Sequence, residues 1–197
     1  ISKAIVAALK LTLLPEEKRA LEQRATTNVK AYKLFLMARQ FSVMGNERHQ
    51  EIIVRLCKRA VELDPSYAAP WAIMAIAQWD MHRRSACDED GQEAASRAIA
   101  LDPKLADAHA ALGAAHQGQG RYEVGLEACE AALRLDPDSY DGNRVAGMCS
   151  MALRRYDDAI RYFEKAAAVV DTEFVAASFA PQCHIAKCDV AGSREAS

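Results

Sequence analysis

No stretch of this chain approaches the roughly 18 uninterrupted apolar residues that a membrane-spanning helix requires, so no contact with a membrane is expected. An excess of positive charge is also lacking. Lys and Arg number 25 against 27 Asp and Glu, a net charge of −2, which leaves no basic footprint for nucleic acid. Residues 4–14 are apolar but carry Lys10 and run into Pro15-Glu16-Glu17, a pattern that does not fit a secretory signal. Opening on Ile1 rather than Met, the chain is expected to be a segment of something longer.

Chemistry-bearing motifs are equally sparse. There is no phosphate-cradling Gly loop and no Ser or Cys nucleophile set in a motif of its own, so no catalytic residue and no cofactor is expected within these residues. The six cysteines (Cys57, Cys87, Cys129, Cys149, Cys183, Cys188) contain no C-x-x-C pair. Unpaired Cys behaves as a small hydrophobe, and without a secretory signal these residues fit a reducing cytoplasm rather than a disulfide framework. Cys183-His184 and Cys188 supply half of a tetrahedral zinc site with no fourth ligand nearby, so no metal is expected. His82, Cys87 and Asp88-Glu89-Asp90 read as a solvated loop entering a helix N-terminus, where carboxylates are favoured.

What the chain does have is an echo of itself. Residues 106–139 align without a gap on residues 140–173: Leu112-Gly113 recurs as Ala146-Gly147, Tyr122 as Tyr156, Gly125 as Ala159, Cys129 as Phe163 and Ala132 as Ala166. Self-similarity of this period, with small and large apolar residues in fixed columns, describes stacked helical hairpins that bury their faces only against one another. The tripeptide Leu-Asp-Pro recurs at 63–65, 101–103 and 135–137. Because proline pushes the preceding residue out of the α-region, each Asp should end the second helix of a hairpin. Extra residues fall between helices near Gly45-Asn46-Glu47-Arg48 and Arg83-Arg84-Ser85-Ala86, where added loop length costs little. Small residues (Ala38, Ala75, Gly113, Gly147; Ala60, Ala98, Ala132, Ala166) should mark close helix crossings. Met37, Phe41, Met74, Leu112, Tyr122, Tyr156 and Phe163 should fill the space around them.

These columns resemble the tetratricopeptide repeat. The third repeat carries the pattern in His109, Leu112, Gly113, His116, Gly125, Cys129, Ala132 and Pro137; the second in Trp71, Met74, Ala75, Gln78, Gly91, Ala95, Ala98 and Pro103. The fourth has Asp171 in place of the proline. The resemblance implies an all-α, right-handed α-solenoid of stacked helix-turn-helix hairpins, about four repeats (31–67, 68–105, 106–139, 140–173) plus helical caps. It also implies that first helices line a concave groove for a protein or peptide. By column that groove would comprise Tyr32, Phe35, Arg39, Ile76, Trp79, Asp80, Asp107, Gln117, Asp141, Arg144, Met148 and Met151. The alternative is that Trp79, Phe35 and Tyr32 cover one another or pack on the N-terminal helices.

The flanks are less regular. Residues 1–14 read as an amphipathic helix with Ile1, Ile5, Ala8 and Leu9 on one stripe, and Pro15 opens a second helix to about Arg24. This is either a cap on the first repeat or the trailing edge of an upstream domain. The stretch Ala-Thr-Thr-Asn-Val-Lys-Ala-Tyr-Lys-Leu-Phe-Leu-Met-Ala-Arg (25–39) resembles the entry to the repeats in bacterial class III adenylate cyclase-like and TolB-like regulatory proteins. That resemblance implies a signal-transduction role. After Asp171 a partial fifth repeat is expected, with Pro181 bending its helix and a polar tail from 191 to 197. A homodimer through this C-terminal helix is the expected self-association, and it belongs to the rival reading of the chain as a structural or oligomerisation module without a groove ligand.

Overall fold

The computed structural model describes residues 26–43 and 49–169. Among them are eight α-helices and no strand: α1 (Val29–Val43), α2 (Gln50–Leu63), α3 (Ala68–His82), α4 (Gln92–Leu101), α5 (Ala106–Gly118), α6 (Tyr122–Leu135), α7 (Tyr140–Ala152) and α8 (Tyr156–Val169). They pair as four antiparallel hairpins, and each helix packs on the next in the chain. The two expected N-terminal helices, the 45–48 loop, the partial fifth repeat with Pro181, and Cys183, His184 and Cys188 lie outside the described residues.

First helices do more of the packing. α1, α3, α5 and α7 also touch one another in a row, whereas no second helix makes comparable contact with the next second helix. Thus α3 buries Ala68, Pro70, Ala72, Met74, Ala75, Ala77, Gln78 and Trp79, while α4 buries only Ala94, Ala95 and Ala98. Helices drawn together on one side and splayed on the other make a curved stack. Its concave side is the row of first helices.

The Leu-Asp-Pro turns repeat in atomic detail. α2, α4 and α6 stop at Leu63, Leu101 and Leu135, and the following Asp is extended each time (φ/ψ −147/91, −142/94 and −141/98), as the proline after it demands. Each Asp carboxylate accepts the N–H two residues on: Ser66 to Asp64 at 3.1 Å, Lys104 to Asp102 at 3.0 Å, and Asp138 to Asp136 at 3.1 Å. The Asp thus builds the turn as an Asx-turn acceptor, besides marking where the helix ends.

First helices end in a second recurring device. Ser85, Gly120 and Arg154 have positive φ (55°, 76° and 60°), and the next N–H reaches back to Met81, His116 and Ser150 (2.9, 2.9 and 2.8 Å), the Schellman arrangement. Only Gly120 advertises it by residue type. Gly91, in the column of Gly125, precedes α4 with φ 84°, and a Cβ there would lie 2.3 Å from the Ala75 carbonyl oxygen. α4 is the short second helix, and the 83–91 loop takes up the residues it gives away.

The small columns set helix spacing. A Cβ on Gly113 would lie 2.4 Å from Cys129 Sγ and 2.9 Å from the Gly125 carbonyl, and one on Gly147 would lie 2.5 Å from the Phe163 ring. Ala38, Ala60, Ala75, Ala98, Ala132 and Ala166 are all fully buried. Met37 departs from its expected place in the core and is 49% exposed. Its equivalents Met74 and Ala146 are buried against a preceding repeat, which α1 lacks among the described residues.

Gly147→Ala should cost about 1 to 3 kcal/mol by overpacking against Phe163, measured as a shift of the urea midpoint. In a double-mutant cycle, Phe163→Leu should recover part of that loss; strictly additive effects would show that the ring does not set the spacing.

Candidate functional site

Three successive first helices bring six side chains together on the concave side. Trp79 and Asp80 leave the last turn of α3, Gln117 the end of α5, and Tyr140, Asp141 and Arg144 the first turns of α7. Trp79 is fully buried. Its Nε1–H donates to Gln117 Oε1 at 3.2 Å, and the Arg83 and Arg144 guanidiniums lie over its ring at 4.8 and 4.9 Å from the centroid. Gly118 leaves room for the indole, since a Cβ there would stand 3.1 Å from Trp79 Cδ1. Arg144 also lies 5.7 Å from the Tyr140 ring centroid.

Arg144 carries the electrostatics of this cluster. Its Nη2 is 2.7 Å from Asp141 Oδ1 and its Nη1 is 4.0 Å from Asp80 Oδ1. The Arg83 guanidinium lies 3.9 Å from the same Asp80 oxygen. Burial opposes the Arg144 charge, but the two carboxylates outweigh it and hold the proton more tightly than on a free arginine. Asp80 is lifted above the usual carboxylate range by burial, with Arg144 opposing and Asp141 adding to the rise. A guanidinium stacked on an indole and forked toward carboxylates is the arrangement arginine supports and lysine does not.

The other residues of the sequence-derived set fall into two groups. Phe35 and Met148 join Trp79 as buried floor, at 8% and 6% exposure; Phe35 meets Tyr67 edge-on at 5.2 Å. Ile76 and Met151 are half-buried against the Trp79 cluster. Tyr32, Arg39 and Asp107 are exposed, with Tyr32 also 6.4 Å from the Phe35 ring. Asp107 is raised by desolvation first and by Asp141 next, with Arg39 opposing. Exposure of the side chain together with desolvation of its carboxyl is what a concave wall produces, where solvent reaches the group while adjoining helices displace water around it. Arg83 and Tyr140 were not among the residues expected from sequence. Their signal is helical spacing: each stands four residues from a member of the set, Trp79 or Arg144.

Elsewhere, a cleft between α2 and the 83–91 loop is lined by Val54, Arg55, Lys58, Met81, Cys87 and Glu89. Lys58 meets Glu89 across it at 3.7 Å. It contains none of the groove residues expected from sequence.

The class defined by this architecture is an α-solenoid of helical hairpins. The family model described as tetratricopeptide repeat matches residues 89–140 and 111–173, and those residues are tetratricopeptide repeats. Among solved structures the chain is similar to TTC0263, a thermophilic tetratricopeptide repeat protein of Thermus thermophilus, with 17% identity, 85% of this chain and 87% of that one covered, and a TM-score of 0.61. It is also similar to pilF of Pseudomonas aeruginosa, with 20% identity, coverage of 84% and 72%, and a TM-score of 0.56. The MamA protein follows with 17% identity, coverage of 80% and 82%, and a TM-score of 0.51. At these identities the likeness establishes the fold alone. No curated relative matches the chain.

Removing the Arg144 charge should take away the cation at Asp141 and one of those facing Asp80. Arg144→Leu is expected to cost about 3 kcal/mol in thermal or urea unfolding, and Asp80→Asn in the same chain should return part of it. Since Asp80 binds its proton more readily folded than unfolded, stability gains as pH falls through its raised value. The deficit of the variant should therefore shrink on acidification toward about pH 4. A deficit that is independent of pH would exclude the electrostatic account.

Proposed function

We propose that the chain is a protein-interaction scaffold whose row of first helices receives a peptide or partner domain. The observation that carries this reading is the layered concave face. Tyr32, Arg39 and Asp107 stand exposed over half-buried Ile76, Gln117, Asp141, Arg144 and Met151, on a floor of Phe35, Trp79 and Met148. Exposed aromatic and arginine groups above a rigid, desolvated base are the usual energetic centres of an interface. Scaffolding requires no chemistry of its own, in keeping with thiols at Cys57, Cys129 and Cys149 that burial holds protonated. Among the described residues no helix is long and apolar enough to cross a membrane.

The finer reading is a regulatory segment of a bacterial, cytoplasmic, cyclase-like or TolB-like signalling protein. Its support is the resemblance of residues 25–39 to the entry of the repeats in such proteins.

Burial decides which variants test the groove. Trp79 lies in the floor, so Trp79→Ala would report on stability. Arg39→Glu and Asp107→Arg alter exposed groups and should leave helicity and Tm unchanged. Each should weaken capture of a partner from the native host by about tenfold, the size of one lost charged contact of roughly 1.4 kcal/mol. Wild-type capture by both variants would remove the groove reading. If the unaltered chain instead self-associates in light scattering and captures nothing, the structural reading takes its place.

A further inference from the structure

Resting on the reading that the concave face receives a partner segment, we propose that this segment carries an acidic and a basic side chain that bridge Arg39 and Asp107. At the α3–α7 end of the face the charges neutralise one another. Asp141 takes Arg144 at 2.7 Å, and Asp80 stands 3.9 Å from Arg83 and 4.0 Å from Arg144. At the α1–α5 end they do not. Arg39 and Asp107 are both exposed, and neither side chain makes a hydrogen bond or an ion pair among the described residues.

Their relation repeats one that is closed elsewhere on the face. Arg144 on α7 reaches Asp80 on α3 past the intervening α5. Arg39 on α1 and Asp107 on α5 are likewise separated by one first helix, and they feel each other's field without touching. In the corresponding columns the intervening α3 has Ala69, Ala72 and Ile76, which supply no counter-charge. The face over α3 is therefore bounded by a cation on one side and a carboxylate on the other.

Each boundary has a second feature that suits an outside partner. On the α1 side, Tyr67 is 2% exposed, its ring is held edge-on to Phe35 at 5.2 Å, and its hydroxyl makes no hydrogen bond among the described residues. Burial, and after it Tyr32, raise the pKa of that phenol while Arg39 opposes, so it keeps its proton and offers a donor in the field of Arg39. A carboxylate seated there has a charged donor and a neutral one. On the α5 side, burial lifts Asp107, Asp141 adds to the rise, Arg39 opposes it and Asp136 adds again. A cation brought by the partner relieves that repulsion.

An occupant of one sign would satisfy one boundary and repel the other. An acid and a base on the same side of the segment, at i and i+2 if it is extended or i and i+4 if it is helical, satisfy both.

The test selects peptides from a random phage-displayed library on the whole chain, then titrates the synthetic peptides by calorimetry. Selected peptides should carry an acid and a base at such a spacing, and Arg39→Glu and Asp107→Arg should each weaken binding by about tenfold or more. Exchanging the acid and the base within a peptide should abolish binding to wild type and restore it in the Arg39→Glu/Asp107→Arg chain. Tyr32→Ala reports on the groove independently of these charges. Peptides weakened by Tyr32→Ala but by neither charge variant, or whose exchanged form is not rescued by the double variant, would overturn the charge pattern and leave the groove reading standing. A library that yields no peptide sensitive to any of these variants would overturn both.

Discussion

Close approach of helix backbones at side-chain-free points is the constraint on which the rest of the molecule depends. At the α5–α6 crossing, Gly113 and Gly125 present backbone to backbone, so that a Cβ on either would stand about 3 Å from the other's carbonyl oxygen. At α7–α8 the gap left by Gly147 is filled from across by the Phe163 ring, and at α3–α4 Gly91 comes against Ala75. Three different residue pairs solve one problem: a hairpin too narrow for two side chains. Tight hairpins let first helices reach one another along the row while second helices do not. Curvature follows, and with it a face on which residues far apart in sequence converge.

Arg144 shows what that convergence makes possible. A guanidinium placed this deep would be costly alone; here carboxylates from α3 and α7 face it, and an indole lies beneath it. The pair energies largely repay desolvation and leave little net gain. Their effect is in register, because Arg144 satisfies Asp80 only if the α3 and α7 rows keep their offset across α5. Trp79 bonding to Gln117 closes the same triangle through α5. The polar cluster thus ties three repeats laterally, where the glycine contacts tie each hairpin internally.

Periodicity carried the fold because every column meets the same neighbour. Leu63, Leu101 and Leu135 end their helices alike since each precedes Asp-Pro, and the small columns are buried since each faces a partner helix. Where a residue meets no equivalent neighbour, the column argument fails: Met37 is exposed while Met74 is buried. Columns also do not give depth. Trp79 was expected on the groove surface, but the curvature that sinks it beneath Arg83 and Arg144 is a property of the assembled row. Ser85 and Arg154 adopt left-handed backbone conformations that their residue types do not announce. Gly91 and Gly120, by contrast, announce theirs by residue type.

The cysteines bear on what the interior is for. Cys57 and Cys149 are pushed up to about 12 by burial, and Cys129 well above its ordinary value. Burial therefore keeps these three thiols protonated at neutral pH. Cys129 Sγ instead fills the hollow over Gly113, and Cys149 Sγ the hollow over Gly125. A serine in either place would bury a hydroxyl with poor access to a partner, and a valine would bring a second methyl into a hollow that one sulfur already fills. Cysteine is the side chain whose volume and polarity both suit a crossing between glycine and alanine. Cys129 and Cys149 therefore belong to the same geometric requirement as the glycines.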